Sequence, residues 1–211
     1  MRKPFWLIDG KLREADFFLD KLRTSLALDD ARFYFSAFVS ATRSVTYAIQ
    51  ACLKRAPGFS EWYAGRRAEL TNDPLAKYFL CARNTSVHVG LNPLGLLQRS
   101  MLGTSEFFLY GEKVPERNAV AGATRYMSSL VDIAGEAFSK FWSFLDLSHD
   151  VTLASLLRDG HSIEDIEAEF GLPKGWSRGE GRTDEERLEL LKQYSRTDIQ
   201  RLRQKYPMQA N

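Results

Sequence analysis

Three side chains that could act on a phosphate ester lie within six residues of one another. Arg83, Asn84 and His88 belong to the segment RNTSVH. Cleavage of RNA by internal transesterification requires a base for the 2′-hydroxyl proton, an acid for the leaving oxygen and a cation for the charge on phosphorus. A histidine can accept or donate that proton, and an arginine presents planar donors that suit phosphate. Residues of these types suit such chemistry, so Arg83 and His88 are the candidate catalytic residues and Asn84 is a candidate for orienting either His88 or the phosphate.

Two further cations are candidate substrate-binding residues. Lys77 lies on the same predicted helix as Arg83. Arg43 belongs to a polar stripe on the preceding long helix, at spacings of three and four residues. Such a stripe is typical of a solvated helix face, and it could also line a site. The chain contains no P-loop, GxSxG, HExxH or kinase signature and no CxxC pair, so we predict neither a metal nor a cofactor.

The helix that must carry the candidate site has clear ends in the sequence. Asp73 is a favourable N-cap, and Pro74 stands at the first helical position, where its missing N–H costs nothing. Gly90 can adopt the left-handed conformation that ends a helix, and Asn92 followed by Pro93 prevents continuation. The sequence therefore predicts a helix over residues 74–89.

This helix has two apolar faces. Its spacing directs five side chains to one side, which we interpret as the core face: Leu75, Phe79, Ala82, Ser86 and Val89. Leu80 and Val87 form a second, narrower strip beside the polar residues. A surface helix does not need a second strip, so we expect Leu80 and Val87 to contact a neighbour or a ligand.

The remaining pattern predicts an all-α protein, an antiparallel bundle with a small β-hairpin. Four other main helices are expected at residues 11–28, 30–55, 60–71 and 115–146, with Asp9 and Ser60 capping the first and third helix. Glycines at 95, 103 and 111 punctuate two short apolar runs, which predict the hairpin. A structure with more than about a quarter of its residues in strands would contradict this fold class.

The last quarter of the chain differs in character from the first 147 residues. Several short helices and the linker KGWSRGEGR predict a C-terminal helical appendage over 148–211, which we expect the bundle at 1–147 not to need. The segment GHSIEDIEAEFGLP resembles the first helix and turn of a helix-turn-helix. Three glycines in the linker argue against a recognition helix there.

Composition limits the location and the partners of the chain. The net charge of +2 is too small to indicate nucleic acid or an anionic membrane by itself. Cys52 and Cys81 both lie in apolar helical patterns, and we interpret them as reduced core residues. The N-terminus lacks the long apolar stretch of a secretory signal, so the predicted location is cytoplasmic, without a membrane span.

The segment Arg83 to His88 resembles the Arg-x4-6-His motif of the HEPN superfamily, including the polar residue, Asn84, after the arginine. The resemblance covers about residues 5–147 and implies an antiparallel HEPN-like bundle. It also implies a metal-independent endoribonuclease, a toxin or anti-phage effector, with a possible antitoxin protein as partner. Other members of that superfamily are inactive and bind nucleotide, RNA or a partner protein.

One histidine cannot serve as both acid and base in a single turnover. A homodimer would supply a second copy of the site, and the strip of Leu80 and Val87 could form its interface. Two alternatives stay open. Arg83 could form only an ion pair while His88 binds the free carbonyls at the helix end, or the chain could be a non-catalytic interaction module.

Overall fold

A bundle of helices with one β-hairpin forms the chain. The computed structural model describes residues 3–99, 105–111, 113–145, 152–194 and 197–207. Within these ranges it contains ten α-helices and one antiparallel sheet of two strands, which confirms the predicted mostly α-helical fold and its small hairpin. The elements are α1 Trp6–Thr24, α2 Leu28–Leu53, α3 Phe59–Asn72, α4 Pro74–Val89, β1 Leu94–Arg99, β2 Ser105–Leu109, α5 Ala119–Lys140, α6 Trp142–Leu145, α7 Leu153–Arg158, α8 Ile163–Glu169, α9 Asp184–Tyr194 and α10 Ile199–Lys205.

The main core lies where α1, α2, α4 and α5 meet. α1 and α2 pack against each other along their lengths, and α5 covers both. Phe79 of α4 enters this core, where its ring stacks on that of Tyr126 of α5 with 4.8 Å between the ring centroids. The ring centroids of Phe35 and Phe38 of α2 each lie 6.0 Å from that of Phe79. Burial raises the pKa of Tyr126 to about 12, so its phenol stays neutral in the core. This aromatic cluster anchors the middle of α4.

The hairpin has a glycine, Gly95, at a position where the ring of the paired residue leaves no room for a side chain. β1 pairs with β2 from Leu94 opposite Leu109 to Arg99 opposite Ser105, with a bulge between Leu96 and Gln98. Gly95 faces Phe108, and a Cβ at Gly95 would lie only 2.5 Å from the Phe108 Cζ atom. The aromatic ring therefore occupies the space that any other residue at 95 would require.

The predicted starts of α1 and α3 were wrong. α1 begins at Trp6 rather than at residue 11, and Asp9 lies buried inside it. Asp9 Oδ1 instead accepts hydrogen bonds of 2.9 Å from the Thr197 hydroxyl and the Asp198 backbone N–H, just before α10. α3 begins at Phe59, because its N-cap is Gly58 in the left-handed conformation (φ 73°), two residues before the predicted cap at Ser60.

The fifth predicted helix is shorter than expected. Asn118 caps α5, since its Oδ1 atom accepts a hydrogen bond of 2.9 Å from the Ala121 N–H, so the helix does not begin at residue 115. α5 ends at Lys140, where Phe141 leaves the helical conformation (φ −111°, ψ 22°), and the short α6 follows. Residue 146, the predicted end, lies outside the described residues.

The C-terminal helices divide between two apolar clusters. α7, α8 and α9 share a small core of their own: Leu156, Ile163, Ile166, Phe170, Leu188 and Leu191. α10 instead packs on α5, and Ile199, Leu202 and Tyr206 belong to the main core. The boundary at residue 147 stays a prediction, but a chain cut there would lose these contacts.

The linker KGWSRGEGR forms turns rather than a recognition helix. Buried Glu167 of α8 accepts hydrogen bonds from the backbone N–H groups of Gly175 and Ser177 and from the Ser177 hydroxyl. These bonds hold the linker against α8, so the second helix of a helix-turn-helix does not form there. In the described ranges, no helix has both the length and the apolar character that crossing a membrane requires.

Candidate functional site

α4 has the bounds that its sequence predicted. The Asp73 side chain accepts a hydrogen bond of 2.8 Å from the Leu75 N–H, and Pro74 begins the helix. Gly90 adopts the left-handed conformation (φ 75°) and ends it. Local capping therefore fixes the helix that carries the three candidate catalytic residues.

Arg83, Asn84 and His88 come together on the exposed side of α4. The Arg83 Nη1 atom donates a hydrogen bond of 3.1 Å to Asn84 Oδ1 and lies 3.4 Å from His88 Nε2. An ideal helix separates residues 83 and 88 by about 140°, so the long arginine side chain closes this gap. Because a guanidinium can only donate, a hydrogen bond between these two atoms requires His88 Nε2 as the acceptor.

One nitrogen of the Arg83 guanidinium lacks a hydrogen-bond partner among the described residues. Its Nε atom is shielded from solvent and has no hydrogen-bond partner in the described part of the chain. A buried donor without a partner costs about 1–3 kcal/mol. Nearby, the hydroxyl oxygens of Ser36 and Ser86 lie 2.6 Å apart and join α2 to α4. Arg83 is thus half-buried, with its Nε atom shielded and its Nη1 atom directed to Asn84 and His88.

Lys77 and Arg43 lie apart from this cluster. Lys77 is exposed and lines a cavity between α4 and the hairpin. The Arg43 guanidinium stacks over the Tyr47 ring at 4.4 Å, and its Nη1 atom lies 3.3 Å from Thr46 Oγ1. Within the described ranges, no hydrogen bond joins either cation to Arg83 or His88. Their predicted role in substrate binding stays a prediction.

The charge of Arg43 affects two tyrosines, half-buried Tyr63 and buried Tyr126. Burial raises the pKa of Tyr63, and the positive charges of Arg43 and Arg67 oppose this rise. Arg43 also opposes the rise at Tyr126. The cation therefore lies beside the aromatic residues that join α2, α3 and α5.

The apolar strip beside the cluster is exposed. Leu80 and Val87 expose 40% and 48% of their surface, so the bundle itself does not cover them. The predicted core face was wrong at Val89, which is 66% exposed. Val89 lies ten residues beyond Phe79, about 15 Å along the helix axis and past the aromatic cluster. Ser86, also predicted for the core, is half-buried in its contact with Ser36.

The two cysteines differ, contrary to the prediction that both lie in the core. Cys52 is buried and Cys81 is exposed, and both are free. Burial raises the pKa of the Cys52 thiol to about 12. Cys81 lines the same cavity as Lys77. The helical pattern alone did not reveal this, because the opposite wall comes from chain segments outside α4. In the described part of the chain, no group of three or more His, Cys, Asp or Glu side chains could hold a metal ion.

A comparison with protein families finds one match. The family described as bacteriophage lambda protein ea47 matches residues 4–102, which span α1 to α4 and β1. No curated protein and no solved structure matches the chain. The resemblance to the HEPN superfamily was wrong: the family that matches is a different one, and no HEPN family matches. Six residues with an arginine and a histidine occur too readily by chance to identify a superfamily. The toxin role and the antitoxin partner, which only that resemblance implied, lose their support.

Proposed function

We propose that the Arg83, Asn84 and His88 cluster binds single-stranded RNA and cleaves it without a metal ion. The observation that carries this proposal is the position of Arg83 Nη1 within hydrogen-bonding range of both Asn84 Oδ1 and His88 Nε2. A phosphate at the guanidinium would therefore lie close to the imidazole. The support comes from these side chains alone, and the family description names a phage protein without an activity.

The proposed reaction is an attack of the ribose 2′-oxygen on the adjacent phosphorus. The bond from phosphorus to the 5′-oxygen breaks, which leaves a 2′,3′-cyclic phosphate and a free 5′-hydroxyl. His88 with an unprotonated ring nitrogen takes the 2′-hydroxyl proton, and Arg83 stabilises the charge on the phosphoryl oxygens. A second acid must protonate the 5′-oxygen. His88 of a second copy of the chain would supply it.

A homodimer through Leu80 and Val87 would bring two such clusters together. A symmetric interface places the same patch of both subunits face to face, and these two side chains lie on the helix that carries the cluster. Cleavage should then require the dimer, whereas binding of RNA to a single cluster should not.

The test compares variants of the purified chain on a labelled single-stranded RNA, with and without EDTA. His88→Ala and Arg83→Ala should each lower the cleavage rate by about 10²-fold or more, because each removes a group that acts on the reacting atoms. His161→Ala, which changes an exposed histidine between α7 and α8, is the matched control and should cleave at the unaltered rate. Cleavage by His88→Ala at the rate of the unaltered chain would refute the proposed role of His88.

The dimer is tested by charge substitution on α4. Val87→Asp places an unpaired charge in the proposed interface, so it should yield a monomer that no longer cleaves RNA while keeping its helical content. Val89→Asp adds the same charge outside the strip and should leave the mass of the dimer unchanged. Light scattering after gel filtration measures the mass, and a Val87→Asp dimer would contradict this interface.

The second candidate is a non-catalytic module that binds nucleotide, RNA or a partner protein. One observation favours it: among the described residues, the cluster contains a single histidine and no carboxylate that could act as the second proton carrier. RNA that binds to the unaltered dimer but stays intact would favour this function over cleavage.

A further inference from the structure

A cavity of about 700 Å³ lies between α4 and the chain on both sides of the hairpin. One wall is α4, and the other is built from residues 91–93, 110–111 and 113. Its volume is within the range of about 300–1,000 Å³ that small-molecule sites occupy. Most of the wall is apolar or aromatic, with Tyr78, Leu91, Pro93 and Tyr110 as its larger side chains.

Two tyrosine hydrogen bonds hold the segments of the cavity together: one joins the two walls and the other lies within the second wall. The Tyr78 hydroxyl donates to the Tyr110 carbonyl oxygen at 3.0 Å, and the Tyr110 hydroxyl donates to the Asn92 carbonyl oxygen at 2.5 Å. Burial raises the pKa of Tyr78 to about 12, so this hydroxyl keeps its proton and the bond persists at neutral pH. The cavity is therefore preformed, which lowers the ordering cost of binding a ligand.

Among the described residues that line the cavity, the two charged ones are both lysines. Lys77 lines it from α4 and Lys113 from the opposite wall. In the described part of the chain, neither ammonium group has an ion-pair partner, whereas Lys11, Lys192 and Lys205 each pair with a carboxylate. None of the described residues that line the cavity is acidic. The described lining of the cavity is thus positively charged.

We propose that this cavity binds a small organic carboxylate, with an apolar body against the tyrosines and leucine and the anionic group at Lys77 and Lys113. Apolar surface supplies the binding energy and the ammonium groups select the charge. This site is separate from the Arg83 and His88 cluster, and it does not rest on the proposed RNA cleavage.

Cys81 provides a reporter inside the cavity. Cys52 is buried and burial raises its pKa, so a neutral disulfide reagent such as 4,4′-dithiodipyridine should react fast with Cys81 alone. The thiolate attacks the reagent disulfide and releases one thiopyridone, whose absorbance gives the rate. Cys81→Ser, which removes the fast reaction, assigns the signal.

A bound carboxylate should shield Cys81 from the reagent. We expect 1-naphthoate or decanoate to slow the reaction in a saturable way, and the uncharged 1-naphthamide to do so only at higher concentration. Lys77→Glu and Lys113→Glu should each raise the carboxylate concentration that gives half-protection by about fivefold, because each removes one exposed ion pair with the ligand. The ratio of rates with and without ligand is taken within each variant, so a changed intrinsic reactivity of Cys81 cancels.

Lys54→Glu is the matched control, because Lys54 is an exposed lysine that follows α2 and does not line this cavity. It should leave the half-protection concentration unchanged. Circular dichroism confirms that each variant keeps its helical content. The proposal is overturned if neither carboxylate protects Cys81, or if 1-naphthamide protects it as well as 1-naphthoate does. It is also overturned if both cavity variants are protected at the same ligand concentration as the unaltered chain.

Discussion

Replacing Leu202 by alanine tests whether the last helix belongs to the bundle. Leu202 has no exposed surface and lies in the main core, where α10 packs on α5. The same end of the chain is tied down by polar contacts, since the Tyr206 hydroxyl donates to Asp16 Oδ1 at 2.6 Å and Ser128 donates to the Pro207 carbonyl at 2.9 Å. The cavity left by Leu202→Ala should therefore not collapse easily.

The expected loss follows from the burial of this one side chain. Removing a fully buried leucine side chain costs about 2–5 kcal/mol, from the lost transfer free energy and the cavity that stays behind. A domain is stable by about 5–15 kcal/mol, so this loss is a large share of the total. Leu157→Ala is the matched control. Leu157 is 77% exposed, and its replacement should change stability by no more than about 0.5 kcal/mol.

Urea unfolding followed by circular dichroism measures both variants against the unaltered chain. We expect a lower midpoint for the main transition of Leu202→Ala and an unchanged midpoint for Leu157→Ala. If Leu202→Ala unfolds at the midpoint of the control, α10 does not contribute to the bundle, and residues 148–211 are the removable appendage that the sequence predicted.

Two other perturbations have expected outcomes. Gly95→Ala should lower the free energy of unfolding by about 1–3 kcal/mol, because the new Cβ collides with the Phe108 ring. Gly65→Ala is the control: Gly65 lies in α3 with open space around it, so this change should raise the free energy of unfolding by about 0.5–1 kcal/mol. A hydrogen bond from Arg187 lowers the pKa of Glu164 from 4.5 to about 2. The Glu164 contact therefore stabilises the fold above about pH 4.5 and is lost as the pH falls toward 2. The difference in urea midpoint between the unaltered chain and Glu164→Gln should shrink over that window, and a constant difference would contradict the assignment.

The parts of the fold that local rules govern were predictable from the sequence. Both ends of α4 follow from residues within one turn of them: Asp73 accepts from Leu75, and Gly90 takes the positive φ. The capping box at the start of α9 is of the same kind, since Thr183 and Glu186 exchange hydrogen bonds. Asp9 shows the limit of these rules. It has the side chain of an N-cap, yet its partner is the Asp198 N–H, 189 residues later.

Only part of the candidate site was predictable, because local helix geometry does not determine the reach of a long side chain. Helical periodicity separates Arg83 from His88, and only the length and flexibility of the arginine side chain allow the contact that the structure has. The cavity was not predictable, because its walls meet only after the hairpin folds and Tyr78 bonds to Tyr110. A periodic pattern assigns Cys81 to a face of the helix, but it does not reveal what covers that face.

The match to the bacteriophage family separates the two proposals. It extends over residues 4–102, so it includes all of α4, with the Arg83 and His88 cluster and the Lys77 wall of the cavity. It ends before Tyr110 and Lys113, which complete the cavity. A member of that family can therefore be aligned with this chain to test the RNA cluster, but the matched region alone cannot contain the carboxylate site. If the isolated matched region of such a relative folds and cleaves RNA, the cluster needs no residue from the second half of the chain. The proposed carboxylate site, in contrast, requires Tyr110 and Lys113 from that half.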